Sequence, residues 1–165
     1  MKTIYFVRHA KSSWADFQLA DHDRPLNQRG KRDAPVMARR LLGFDVAPDG
    51  IYGSTAKRAR RTAREFARVF DVPKDKRTYL RGLYHAYPDR IEREIWTLPP
   101  EWDTVLFFGH NPGYTDLANL LQGEDYIDNV PTCGIVGAQA AVDDWSDFLL
   151  AEARRTLFLY PKQTV

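Results

Sequence analysis

The sequence predicts an α/β protein, a three-layer α/β/α sandwich around a mostly parallel sheet with an antiparallel end. Strand-like and helix-like segments alternate along most of the 165 residues. Two short apolar runs, 4–7 and 104–108, are typical of strands that are covered on both faces. Two further strand-like segments near the C-terminus follow each other without a helix between them, which predicts the antiparallel end.

Composition limits the classes of protein to which the chain can belong. Hydrophobic residues make up 44% and charged residues 28% of the sequence, which favours one folded domain spanning residues 1–165. The net charge of +2 argues against nucleic acid as the main partner. The single cysteine, Cys133, suits a reducing compartment, and no apolar run approaches the ~20 residues of a membrane span. We therefore expect a cytoplasmic protein.

In the first half of the chain, local signals indicate strand, helix, strand, helix. Asn27 predicts the N-cap of a helix that runs to about Leu42, in which Pro35 is expected to cause a bend or mark the first turn. Segment 49–54 is a short strand candidate, and Ser54 or Thr55 is expected to cap the helix that follows. That helix is the clearest in the chain because it carries an apolar stripe: Ala59, Thr62, Ala63, Phe66 and Phe70.

The second half continues the alternation and then ends in strands. The predicted elements are a strand at 77–80, a helix at 89–98, a buried strand at 104–108, a helix at 114–121, and late strands at 134–142 and 155–160. The late strands are separated by a polar turn, so they are predicted to form an antiparallel pair.

Histidine and arginine side chains follow the predicted strands where those strands end. Arg8 and His9 come after the first apolar run, and His110 comes after 104–108. Because the carboxyl ends of parallel strands meet at one edge of a sheet, both imidazoles are expected to face one cleft. Arg58, in the first turn of the helix after the second strand, is expected to join them. Guanidinium groups match phosphate oxygens and histidine can act as a nucleophile, so the sequence predicts a phosphate pocket with its own nucleophile.

Three sequence blocks resemble the histidine phosphatase superfamily, the phosphoglycerate-mutase-like proteins. Residues 8–10, Arg-His-Ala, resemble the family's Arg-His-Gly block with alanine in place of glycine. Residues 54–63 resemble its Ser-x-x-x-Arg-Ala-x-x-Thr-Ala block, and 108–112 resemble its late histidine block. The short length and the segments 24–26 and 131–135 are most similar to the SixA-type phosphohistidine phosphatases.

The resemblance implies a phosphoglycerate-mutase-like fold and a role for individual residues. His9 would attack phosphorus and carry a transient phosphohistidine, while Arg8, Arg58 and His110 would hold the phosphoryl oxygens and stabilise their charge. A backbone acceptor on the His9 Nδ1–H would keep Nε2 free for attack. Arg24 would reach the rim of the pocket. No metal and no cofactor are implied.

The chain departs from the family pattern at the expected proton donor. Phosphoester-cleaving members carry a carboxylate after the second helix, whereas residues 79–86 contain none. An alkoxide leaving group needs a proton in the transition state, but a protonated imidazole leaves without one. The missing acid therefore favours protein phosphohistidine as the substrate, with His85 as an alternative donor.

Other functions stay open on the sequence alone. A small-molecule phosphoesterase of the same fold is the first alternative. A non-catalytic phosphate-pocket module is the second, because the Cβ of Ala10 would crowd an approaching phosphate. A metal site built on His9 and His110 is disfavoured, since no carboxylate adjoins either histidine and the arginines would repel a cation.

A basic stripe on the second helix also has two interpretations. It consists of Lys57, Arg61, Arg64 and Arg68. The stripe is interpreted as a solvated helix face, and a docking surface for an acidic partner is the alternative. We expect the partner to be a phosphorylated protein or a small phosphorylated substrate. We expect neither nucleic acid nor membrane to be a partner, and we expect the chain to be a monomer.

Overall fold

A computed structural model describes residues 1–164 and confirms the predicted α/β class. The strands are β1 (Lys2–Arg8), β2 (Gly50–Ser54), β3 (Arg77–Leu80), β4 (Thr104–Gly109), β5 (Ile135–Ala140) and β6 (Arg154–Leu159). The helices are α1 (Gln28–Leu42), α2 (Lys57–Val69), α3 (Pro88–Ile95) and α4 (Gly113–Leu120).

The strands form one sheet in the order β3-β2-β4-β1-β5-β6. β3, β2, β4 and β1 run parallel to one another, whereas β5 runs antiparallel to both β1 and β6. The late strands are therefore the antiparallel pair that the sequence predicts. The connection between them contains a short 3-10 turn, Trp145–Asp147, and the Trp145 side chain is fully buried.

Two apolar clusters lie on opposite faces of the sheet and produce the three layers. Alternate residues of β1 and β4 supply each cluster, as the period of a strand requires. Ile4 and Phe107 pack with α3 and α4, while Val7 and Phe108 pack with α1 and α2. Ala59, Thr62, Ala63 and Phe66 of the predicted α2 stripe are buried, whereas Phe70 is the half-buried residue that caps the end of the helix.

The helix caps confirm one prediction and correct another. The Asn27 side chain accepts a hydrogen bond from the Gly30 N–H at 2.9 Å, so it caps α1 as expected. Pro35 lies inside α1, which continues past it to Leu42. The cap residue of α2 is Ala56 and makes no side-chain cap, so the prediction of a Ser54 or Thr55 cap is wrong.

The register of the two central strands positions the site. Arg8 at the end of β1 pairs with Gly109 at the end of β4. The next residues, His9 and His110, consequently emerge side by side at the carboxyl edge of the sheet. Within residues 1–164, no helix combines the length and apolar character that crossing a membrane requires.

Candidate active site

His9 and His110 form the centre of the site. Their ring centroids are 5.2 Å apart, and the residues are only 7% and 2% exposed. The His9 N–H donates to the Gly109 carbonyl at 3.0 Å, which continues the β1–β4 ladder one step beyond the strands. The predicted meeting of the two imidazoles at one sheet edge is what the structure shows.

His9 is held as a neutral imidazole whose Nε2 is unprotonated. Its Nδ1 lies 2.8 Å from the Ala10 carbonyl oxygen, which can only accept, so Nδ1 carries the proton. Arg58 donates its Nε–H to His9 Nε2 at 3.3 Å. Burial lowers the pKa of His9 to about 3, and the charges of Arg58 and Arg8 act in the same direction.

His110 is oriented by a hydroxyl and leaves one ring nitrogen unused. Its Nε2 lies 2.8 Å from Ser54 Oγ, and that oxygen accepts the Ala56 N–H at 3.1 Å. The serine hydroxyl is thus able to donate to Nε2, which leaves the proton of a neutral ring on Nδ1. His110 Nδ1 is buried and has no hydrogen-bond partner within residues 1–164. Burial, followed by the neighbouring His9, lowers the pKa of His110 to about 2.

Arg58 and Arg8 bring two guanidinium groups to the histidines. Arg58 projects from the first turn of α2, is 2% exposed, and reaches both His9 and the loop after β1. Arg8 is anchored through Nη1 to the Val130 carbonyl at 2.9 Å. Its Nε is buried without a hydrogen-bond partner in the described part of the chain. The site therefore contains two buried polar nitrogens, Arg8 Nε and His110 Nδ1, that have no hydrogen-bond partner among residues 1–164.

Asp21 is a site residue that sequence reasoning missed. Its Oδ2 accepts hydrogen bonds from Arg58 Nη2 at 2.9 Å, from His85 Nε2 at 3.0 Å and from the Tyr84 hydroxyl. Its backbone carbonyl accepts from Arg58 Nη1 at 2.6 Å. Although burial raises the pKa of Asp21, the hydrogen bonds from Tyr84, His85 and Arg58 hold it well below its ordinary value. The residue's only sequence signal is its place in a polar loop that leaves a strand end.

Arg24 lies near the site but does not contact either histidine. Its guanidinium stacks over the Trp14 ring, 3.5 Å from the ring centroid, and donates to Ser12 Oγ at 2.8 Å. It also donates to Asp21 Oδ1 at 3.2 Å. Arg24 thus holds the loop that carries Asp21, and the expectation that it lies at the pocket rim stays a prediction.

Ala10 and His85 differ in their relation to the pocket. Ala10 is fully buried in the apolar cluster beneath α1 and α2, and its N–H donates to Thr62 Oγ1 at 2.9 Å. Its methyl group therefore packs in the core. His85 adopts a left-handed backbone conformation with φ of 52°, and its ring centroid lies 4.8 Å from that of His110.

Comparison with known proteins identifies the class of this chain. A fold of this type with paired histidines and arginines at the strand ends defines a phosphoryl-handling α/β protein. The model of the histidine phosphatase superfamily, branch 1, matches residues 4–115. The chain belongs to the histidine phosphatase superfamily.

Individual relatives agree with this assignment. An uncharacterized protein of Mycobacterium tuberculosis is 35% identical over 150 residues, which cover 86% of this chain and 90% of that protein. The structure of SixA from Agrobacterium tumefaciens, a candidate phosphohistidine phosphatase, superposes with a TM-score of 0.80 at 28% identity, covering 97% and 98% of the two chains.

The same fold also occurs in a phosphatase with another substrate. A mycobacterial glucosyl-3-phosphoglycerate phosphatase superposes with a TM-score of 0.67 at 14% identity, covering 94% of this chain and 96% of that one. These comparisons confirm the phosphoglycerate-mutase-like fold and the resemblance to SixA.

Proposed function

We propose that this protein is a phosphatase that hydrolyses phosphohistidine on proteins through a covalent phosphohistidine intermediate on His9. One observation carries the proposal: the site holds a neutral imidazole, His9, whose unprotonated Nε2 accepts from Arg58, together with two buried nitrogens that have no hydrogen-bond partner within residues 1–164. A tetrahedral dianion bound to His9 Nε2 would give Arg8 Nε and His110 Nδ1 the acceptors that they lack in the described structure. Unpaired buried donors are costly, so such a pocket favours an anion.

The first half-reaction transfers the phosphoryl group to the protein. His9 Nε2 attacks phosphorus, the substrate's P–N bond breaks, and the substrate imidazole leaves as a neutral ring because its other nitrogen carries the proton. Arg8, Arg58 and His110 stabilise the charge on the phosphoryl oxygens. The Ala10 carbonyl holds the His9 Nδ1–H throughout, so the positive charge on the phosphorylated ring is stabilised without a metal.

The second half-reaction releases phosphate. Water attacks the phosphorus of phospho-His9, the bond to Nε2 breaks with its electron pair returning to Nε2, and the oxygen and both protons of water leave in dihydrogen phosphate. His9 returns to the neutral imidazole with its proton on Nδ1. The leaving group in this step is again an imidazole, so both steps break the same type of bond.

The state of Asp21 supports a P–N substrate over a phosphoester. Asp21 is a carboxylate in the site, but its hydrogen bonds from Arg58, Tyr84 and His85 favour the ionised form. An ionised carboxylate cannot donate a proton to an alkoxide leaving group. Asp21 therefore does not replace the missing proton donor, and phosphohistidine remains the favoured substrate.

A small-molecule phosphoesterase is the second candidate, and His85 is the observation that favours it. Its Nε2 lies 3.0 Å from Asp21 Oδ2, and its ring borders that of His110. A protonated His85 paired with Asp21 would supply the proton that an alkoxide requires. The non-catalytic alternative loses its support because the Ala10 methyl packs in the core.

The experiment replaces His9 with Ala and follows phosphoryl transfer from a labelled phosphohistidine peptide and from an aryl phosphoester. We expect the wild-type protein to form an acid-labile labelled adduct and to prefer the peptide, and His9→Ala to lose both adduct and turnover. Arg93→Ala, an exposed change on α3, is the control and should keep both. Turnover retained by a folded His9→Ala protein would overturn the mechanism, whereas a preference for the phosphoester would overturn only the substrate.

A further inference from the structure

A groove lined by cations adjoins the site. It has a volume of about 610 Å³ and lies between α2, the start of β3 and the loop after β1. We call it the basic groove, and its cationic residues are Lys57, Arg60, Arg61, Arg64, Lys74 and Arg77. Asp23 is the one acidic residue that lines it.

The cations of the basic groove are not neutralised by the protein. None of the six forms an ion pair with a carboxylate of residues 1–164, and Asp23 is directed to His22 at 3.4 Å. Elsewhere on the surface such pairs are present, for example Arg68 with Glu65 at 3.3 Å and Arg90 with Glu94 at 2.7 Å. The groove therefore presents a concentrated positive field to solvent.

The position of these cations opposes the stability of α2. The helix begins at Lys57, its first turn contains no acidic residue, and Arg60 and Arg61 follow directly. Cations near a helix N-terminus interact unfavourably with the helix dipole. A local arrangement that costs stability without a compensating contact is typical of a functional surface.

The basic groove is continuous with the candidate active site. Arg58, which contacts His9, lies in the same first turn of α2 as Lys57. On the groove side, Thr55 Oγ1 hydrogen-bonds His22 at 2.8 Å, and the His22 ring packs against Tyr84, whose ring packs against His110. At about 1.5 Å per residue, Arg61 and Arg64 lie roughly 4.5 and 9 Å from Arg58 along the axis of α2.

We propose that the basic groove docks an acidic segment that flanks the phosphohistidine of a protein substrate. At about 3.3 Å per residue, an extended chain with its phosphohistidine at His9 places side chains two to four positions away beside Arg61 and Arg64. The role of the segment as part of a substrate rests on the proposed function. The docking itself rests on charge complementarity, which raises the association rate and adds specificity.

The lining of the groove favours an acidic polypeptide over nucleic acid. Single-stranded nucleic acid is bound by basic grooves that also offer aromatic faces for base stacking. Tyr79 is the aromatic side chain of the basic groove, and the guanidinium of Arg60 already covers its ring at 5.1 Å. The groove therefore offers six cations but only one Phe, Tyr or Trp ring among its lining residues, and Arg60 lies over that ring.

The first experiment measures docking without catalysis. Two fluorescent peptides with a central histidine carry either glutamates or glutamines two to four positions away on both sides, and their binding is followed by anisotropy. We expect the wild-type protein to prefer the acidic peptide by about tenfold at low salt, in keeping with several surface charge pairs. The preference should fall with added salt and disappear in Arg61→Glu/Arg64→Glu. The control Arg68→Glu/Arg93→Glu has the same charge change outside the groove and should keep the preference for the acidic peptide.

The second experiment measures turnover of the same peptides phosphorylated on histidine. We expect the acidic peptide to have the higher kcat/KM, with the difference lost in the groove variant and turnover of the neutral peptide retained. Equal binding of the two peptides by the wild-type protein, or loss of the preference in the control variant, would overturn the docking proposal. An oligonucleotide that binds the groove more tightly than the acidic peptide would also overturn it. Selective binding without phosphohistidine turnover would instead overturn the proposed function alone.

Discussion

Asp21 and the phosphoryl group of a substrate would share the donors of Arg58. The structure assigns two Arg58 nitrogens to Asp21, one to its backbone carbonyl and one to its side chain. A phosphoryl group on His9 Nε2 would lie beside this carboxylate, and two negative charges at close range repel each other. The carboxylate therefore sets how tightly the pocket holds a free anion.

We predict that Asp21→Asn strengthens inhibition by orthophosphate about tenfold, or ~1.4 kcal/mol, because it removes the opposing charge. The amide oxygen can still accept hydrogen bonds from Arg58 and Tyr84 in place of Oδ2. Arg24 loses its acceptor on residue 21 but keeps its contacts with Ser12 and Trp14, so the loop keeps its place. The measurement is the inhibition constant of orthophosphate in the wild-type protein and the variant. Asp16→Asn, an exposed change in the same loop, should leave that constant as it is. Unchanged or weaker inhibition in Asp21→Asn would contradict the assigned position of the charge.

At this scale, the sequence predicts the residues at strand ends and misses those that arrive from loops. His9, Arg58 and His110 follow strands of one parallel sheet, so topology alone brings them together. Asp21 contacts residues 37, 63 and 64 positions away, and no local periodicity encodes those contacts. The sequence predicts which tautomer of His9 catalysis requires, but it does not predict the group that fixes it. That group is the Ala10 carbonyl, whose position depends on the path of the backbone after β1.

The elements are held at their ends by specific local contacts that also shape the site. Asn27 caps α1 with its side chain, and its N–H donates to the Lys11 carbonyl at 2.9 Å. Gly30, in the first turn, packs so closely on that carbonyl that an added Cβ would lie 2.2 Å from its oxygen. The start of α1 is thereby fixed against the segment that follows His9.

We predict that Asn27→Ala lowers the free energy of unfolding by about 1 kcal/mol, because it leaves an N–H of the first turn without its cap. Urea unfolding of the wild-type protein and the variant measures this change. Asn27→Ser should retain most of the stability, since serine caps nearly as well. An alanine variant as stable as the wild-type protein would show that the cap contributes nothing.

Most elements could be predicted because their signals are local. The period of α2, the apolar run of β4 and the Asn27 cap each involve a few neighbouring residues. The cap of α2 could not be predicted, because Ser54 has two possible uses. Its hydroxyl donates to His110, which is 56 residues away, and accepts the N–H of the cap residue Ala56 instead of an N–H of the first turn.

The two buried neutral histidines make the whole molecule less stable in acid. Burial lowers the pKa of His9 to about 3 and that of His110 to about 2, from an ordinary value of 6.5. Between those values the unfolded chain takes up protons that the folded protein excludes. Stability is therefore fully present above pH 6.5 and is lost as the pH falls toward 3.

We predict that the free energy of unfolding falls as the pH is lowered below about 6.5, by at most about 1.4 kcal/mol per pH unit for each histidine. Urea unfolding at a series of pH values between about 7.5 and 4.5 measures the slope. Replacing His9 with Gln should reduce the slope, because one of the two titrating groups is gone. A wild-type stability that stays constant through this range would contradict the neutral state of both rings.

The two faces of helix α2 have separate roles. Its inner face carries Arg58 and the apolar stripe, which the site and the core both constrain. Its outer face carries four exposed cations of the basic groove, which form no ion pair with a carboxylate of the described residues: Lys57, Arg60, Arg61 and Arg64. On the proposed assignment, the residues that select the partner are therefore different from the residues that cleave the bond. Rewriting the outer charges of this single helix would redirect the protein to a differently charged phosphoprotein while the reaction centre stays intact.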